Sequence, residues 1–99
     1  MARIPNPLVH PGEILREEFL VPLGMSAGAL AKRLNVPRTG VERLVSETTA
    51  MTPDTALRLG KFFATSPEFW MNLQTAFDLT AQSQTMREEI AAIEEMRAA

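Results

Sequence analysis

Arg38, Thr39, Glu42 and Arg43 are spaced i, i+1, i+4 and i+5, which on a helix sets two guanidinium forks, a hydroxyl and a carboxylate along one side. The chemistry this offers is recognition. A guanidinium presents paired, coplanar donors that match guanine O6 and N7 or clamp a phosphate. Thr39 can donate to a base edge or a phosphate, or lay its methyl group against thymine. These four are the candidate base-contacting residues. Gly40 would let such a helix sit close to a groove floor, at some cost in helix propensity. Ser26, Lys32 and Arg33, just upstream, and Ser46, Thr48 and Thr49, just downstream, are the candidates for holding a nucleic-acid backbone.

Catalysis has little to work with. The single histidine, His10, precedes Pro11 and fits a helix N-cap, with Glu13 placed to reach back. Glu13 and Glu17 share a helix face at i, i+4, but Arg16 and Glu18 surround them as on a solvated face. There is no glycine-rich phosphate loop, no paired-histidine spacing and no thiol. The sequence therefore argues against an enzyme, a metal site, a cofactor and a small-molecule substrate.

The elements that must position Arg38 and Arg43 are legible in residues 27–46. Leu30 and Leu34 lie i, i+4 on one helix, and Val41 and Leu44 lie i, i+3 on the next. Ala31 leaves room for the second helix to approach, and Val36 plugs the turn. The pattern is a helix-turn-helix, whose second helix enters the DNA major groove when the motif serves its usual purpose. Around it, Pro11, Pro37, Pro53 and Pro67 each follow a plausible N-cap and precede helical periodicity. Thr52-Pro53-Asp54 and Ser66-Pro67-Glu68 are the clearest cases, and Ser26 caps the helix before the turn. Helices are expected near 11–20, 26–34, 37–46, 53–64, 67–82 and 84–97, with Pro22 and Gly24 ending the first. No strand alternation survives, so the fold class is all-α: a compact bundle of five or six helices forming a single domain over 1–99.

The expected core is Ile14, Leu15, Phe19, Leu23, Leu30, Leu34, Val36, Val41, Leu44, Leu57, Phe62, Phe69, Trp70, Leu73 and Phe77. Phe69 and Trp70 share an apolar stripe with Leu73 and Phe77 and are assigned to that core rather than to a ligand platform. A terminal stripe of Met86, Ile90 and Ile93, with Met96 close by, specifies an apolar face; its cover is either the same domain or a partner chain.

Composition sets the frame. Ninety-nine residues with 45% apolar and 22% charged side chains describe one small globule. No apolar run approaches the ~20 residues of a membrane span. Residues 1–9 carry only Arg3 as a charge, so no secretory signal is expected. The absence of cysteine fits a reducing cytoplasm. The net charge of −2 conceals an asymmetry: residues 1–61 hold eight basic and six acidic side chains, residues 62–99 two and six. Within 27–46, Lys32, Arg33, Arg38 and Arg43 oppose Glu42 alone, a local cationic patch.

The flanking blocks carry a more specific signal. His10-Pro11-Gly12-Glu13-Ile14-Leu15, Pro22-Leu23-Gly24, Asp54-Thr55-Ala56-Leu57-Arg58-Leu59 and Thr65-Ser66-Pro67-Glu68-Phe69-Trp70-Met71-Asn72-Leu73-Gln74 resemble the HigA antitoxins, of the phage-repressor-like (Xre) helix-turn-helix group. The likeness runs over roughly residues 8–79. It implies a lambda-repressor-like fold, a homodimer, and repression of its own operon through a palindromic operator. It also implies neutralisation of a RelE-like toxin, a ribosome-dependent messenger-RNA endonuclease. Carried onto this chain, the recognition helix is Pro37 to Ser46, with Arg38, Thr39, Glu42 and Arg43 facing DNA.

One departure stands out. Such proteins commonly follow the recognition helix with Asn-Gly and basic residues, whereas this chain has Ser46-Glu47-Thr48-Thr49-Ala50. Losing two phosphate contacts flattens the salt dependence by nearly two units of slope, unless Lys32, Arg33, Thr48 and Thr49 compensate. Two other functions fit the same residues: a stand-alone Xre-type transcriptional regulator, and a protein-binding module that has lost its DNA role.

Overall fold

A computed structural model describes residues 8–97; Arg3 lies outside them. Six helices and no strand are found among the described residues. The first, α1, runs over residues 11–23 and contains a π-helical stretch, Leu15–Leu20, between Pro11–Ile14 and Val21–Leu23. It is followed by α2 (Ala27–Leu34), α3 (Arg38–Val45), α4 (Pro53–Phe63), α5 (Pro67–Thr85) and α6 (Arg87–Ala91). No described helix is long and apolar enough to cross a membrane.

Helix starts follow the capping chemistry. The Oγ atoms of Ser26 and Ser66 accept from the N–H groups of Ala29 and Phe69, and Thr52 Oγ1 accepts from that of Thr55. His10 Nδ1 accepts from the Gly12 N–H at 2.8 Å, and its buried ring meets Phe77 edge to face. Of the two residues expected to end α1, Gly24 does so, in the left-handed region at φ 60°, while the Pro22 half is corrected: the helix runs past residue 20 and through Pro22 to Leu23. Proline in an α-helix crowds the carbonyl four residues back. Here the turn before it is already widened, with the Val21 N–H bonded to the Arg16 carbonyl five residues back.

The core is built from Leu15, Leu20, Leu30, Ala31, Leu34, Val41, Leu44, Met51, Ala56, Leu59 and Trp70. Trp70 is fully buried, its Nε1 donating to Thr65 Oγ1 at 2.9 Å, and Phe19 packs against it and Phe63. Three expected core residues are corrected to the surface: Leu23, Leu57 and Phe69 are exposed. On α4 the buried face is Ala56, Leu59 and Gly60, with close backbone approach at Gly60, and Leu57 lies on the other side of the helix. Gln74, buried on α5, accepts from the Met51 N–H at 2.6 Å and satisfies the loop that carries that residue inward.

Two glycines mark close approaches. A Cβ at Gly12 would lie 1.8 Å from the Leu44 carbonyl oxygen, so the start of α1 bears on the last turn of α3; a Cβ at Gly60 would lie 2.9 Å from the Thr65 carbonyl oxygen. The terminal helix is shorter than expected. Helix α5 runs to Thr85, α6 covers only Arg87–Ala91, and Ile90, Ile93 and Met96 are exposed.

Candidate nucleic-acid interface

Helices α2 and α3 cross with buried Leu30, Ala31, Leu34, Val41 and Leu44 between them. Asn35 turns the chain at φ 59°, a conformation its short amide tolerates, and half-buried Val36 fills the corner. The second helix of the motif, expected to be the recognition helix, is Arg38–Val45. Pro37 is its N-cap residue in extended conformation rather than its first helical residue, and the Gly40 N–H bonds back to the Pro37 carbonyl.

The outer side of α3 carries Arg38, Thr39, Gly40, Glu42 and Arg43, all exposed. Arg38 Nε donates to Glu42 Oε2 at 2.8 Å, and the Arg38 side chain is 72% exposed. Among the described residues, Arg38 Nη1 and Nη2, the Arg43 guanidinium and the Lys32 ammonium have no hydrogen-bond or ion-pair partner. Arg38 and Lys32 line one surface groove with Ser26, Gly28 and Ala29, between α2 and α3.

The other candidates lie apart from that groove. Arg33 stands over the Phe62 ring, its Cζ 5.3 Å from the centroid, on the side of α2 facing α4. The hydroxyls of Ser46 and Thr48 each lie 3.1 Å from the Arg43 carbonyl and 3.2 Å from one another, so a phosphate must compete with the helix end for them. Thr49 is exposed at a cleft of about 270 Å³ behind α3, beside Gly40, Val41 and Thr52.

The Glu47 segment takes a definite form. The Thr48 N–H bonds to the Arg43 carbonyl and the Glu47 N–H to the Leu44 carbonyl, with Glu47 at φ 66°. This is a Schellman closure with glutamate in the left-handed position that glycine favours. Arg16 reaches it from α1, with Nη1 donating to the Val45 carbonyl and Nη2 lying 3.1 Å from Glu47 Oε2. Hydrogen bonds to Glu17 first and Glu47 second hold the Arg16 pKa above its ordinary value. The acid that departs from the expected pattern is thus already paired.

No family model matches the chain. It is 50% identical over 78 residues to virulence-associated protein I of Dichelobacter nodosus, covering 79% of this chain and 72% of that protein. Among solved structures it is similar to the Pseudomonas aeruginosa antitoxin HigA with the higBA promoter. That match has 41% identity and a TM-score of 0.87, and covers 91% of this chain and 99% of the other. It is also similar to the antitoxin GraA in complex with its operator, at 44% identity and TM-score 0.84, over 99% of this chain and 100% of that one. The chain belongs to the HigA-type antitoxin family of Xre-like helix-turn-helix proteins.

Three residues of this HigA-type chain support the ends of α2 and α3 without any sequence signal for it. Arg16 and Glu47 are 31 positions apart, and nothing local pairs them. Arg58 donates to the Leu34 carbonyl at 2.8 Å and to Asp54 at 2.7 Å, closing the carbonyl end of α2 from α4. Only the Arg58–Asp54 spacing of i, i+4 was open to inspection, and it describes the pair rather than the cap.

Proposed function

We propose that this chain is an antitoxin that binds operator DNA as a homodimer, represses its own operon, and neutralises a RelE-like messenger-RNA endonuclease toxin in the cytoplasm. The observation that carries the reading is the outward face of α3, two arginines with unpartnered guanidinium nitrogens, in a chain similar over nearly its whole length to antitoxins solved with operator or promoter DNA. In this reading Arg38, Thr39 and Arg43 meet base edges, with Glu42 on the same face. Ser26 and Lys32 flank the groove and meet phosphates, and Ser46, Thr48 and Thr49 approach the backbone from the other end of the helix. Arg33 adds positive potential from its position over Phe62 rather than through that groove.

A dimer sets two recognition helices about 34–36 Å apart, so the operator half-sites should be centred one turn of DNA apart. Arg38→Ala and Arg43→Ala should each weaken operator binding by about 1–3 kcal/mol in gel-shift titrations against a duplex from the chain's own promoter. Unchanged affinity for both variants removes these residues from the site. The toxin half of the proposal is tested by co-purifying the chain with the product of a short basic reading frame beside its gene. A complex surviving high salt supports it, and its absence leaves a stand-alone regulator. A protein-binding module without a DNA role would have drawn support from Glu47, but Arg16 already offsets that charge.

A further inference from the structure

Arg38, though largely exposed, follows a defined course over α2. Its stem crosses α2 at Gly28, where a Cβ would lie 3.2 Å from Arg38 Cδ, 3.8 Å from Cγ and 3.9 Å from Nε. Its Nε is bonded to Glu42 Oε2 at 2.8 Å. The missing side chain at Gly28 leaves room for the arginine stem to lie against α2, and the ion pair to Glu42 engages the adjoining Nε. Together they leave the Nη1 and Nη2 edge as the free face of the fork. That edge carries the paired donors that a guanine or a phosphate would take.

Gly28 has no backbone reason to be glycine. It is the second residue of the eight-residue helix α2, with φ outside the left-handed region, so no turn requires glycine there. The nearest atoms to its missing side chain belong to Arg38 alone.

We infer that Gly28 and Glu42 are positioning residues for Arg38, fixing its guanidinium in one orientation so that it discriminates among base pairs rather than merely adding positive charge. Glu42 then works through Arg38 rather than on a base, and the helix–helix crossing becomes part of the reading head. The benefit is the usual one of preorganisation: rotamer freedom is already surrendered, so less is lost on binding. The inference deepens the operator-binding reading and rests on it.

The test is a double-mutant cycle on the full chain, comparing wild type with Gly28→Ala, Gly28→Leu, Arg38→Ala and the Gly28→Leu/Arg38→Ala combination. Each is titrated by fluorescence anisotropy against a duplex from the chain's own promoter and a scrambled duplex of equal length, and thermal midpoints are recorded. Gly28→Ala and Gly28→Leu should hold or raise the thermal midpoint, because both residues favour helix more than glycine does. Promoter affinity should fall in graded fashion, reaching about tenfold for leucine, with scrambled-duplex affinity unchanged. In the Arg38→Ala background, Gly28→Leu should change promoter affinity less than twofold. Glu42→Gln should lower the promoter-to-scrambled ratio while strengthening scrambled binding, since a negative charge is lost.

Promoter affinity within twofold of wild type for both Gly28 variants overturns the inference. So does an equal loss in the Arg38→Ala background, or a parallel loss on both duplexes. Wild-type chain that fails to prefer its promoter removes the operator reading itself, a result distinct from these.

Discussion

At the scale of single residues, the proposed interface depends on which side chains are already occupied. Arg38 is engaged by Glu42 through Nε and keeps its terminal nitrogens, whereas Arg43 keeps its whole guanidinium. Ser46 and Thr48 lie against the helix-terminal carbonyl of Arg43. Gly40 is the contrasting case: a Cβ there would meet nothing within 4 Å, so the fold itself makes no use of the missing side chain. Gly40→Ala should therefore stabilise the chain by about 0.5–1 kcal/mol in chemical denaturation, through helix propensity alone. If α3 lies close to a groove floor, the same variant should bind the operator less well. Greater stability with weaker binding is the expected pair of results, and greater stability with undiminished binding would show that Gly40 is not at the contact.

At the scale of elements, the end of α3 is the place where a local rule is broken. Glutamate stands at φ 66° in a Schellman closure, a position that costs a non-glycine residue about 1 kcal/mol. An exposed ion pair such as Arg16–Glu47 returns only a fraction of that. Glu47→Gly should therefore raise the thermal midpoint followed by circular dichroism; a fall would mean that Arg16 contributes more than a surface pair does. The helix starts at Ser26, Thr52 and Ser66 were readable because the cap and the first turn are neighbours in sequence. The crossing of α2 and α3 was readable for a similar reason, since Leu30, Leu34, Val41 and Leu44 carry it within one short motif. The course of α1 was not, because proline signals a break and the π turn that admits Pro22 leaves no mark in composition. The buried face of α4 was not legible in its leucines: Leu57 and Leu59 are the same size, yet Leu59 is buried beside Ala56 and Gly60 and Leu57 stays out. The arginine caps were invisible, since Arg16 and Arg58 act across 29 and 24 residues.

At the scale of the whole molecule, the chain divides into a packed body and a tail. No residue from Thr75 to Arg97 is buried, and the described tail keeps Ile90, Ile93 and Met96 exposed beside Glu88, Glu89, Glu94 and Glu95. Truncation after Thr85 should thus leave the thermal midpoint of dilute protein unchanged. A marked drop would mean that the terminal stripe is covered by a second chain whose docking contributes to folding. Within the body, α1 grips the last turn of α3 at two points: Gly12 beneath the Leu44 carbonyl, and Arg16 on the Val45 carbonyl and Glu47. The two helices therefore bear directly on one another at the end of α3. Whatever takes hold of the outer flank of α1 would press on α3, the helix proposed to face DNA.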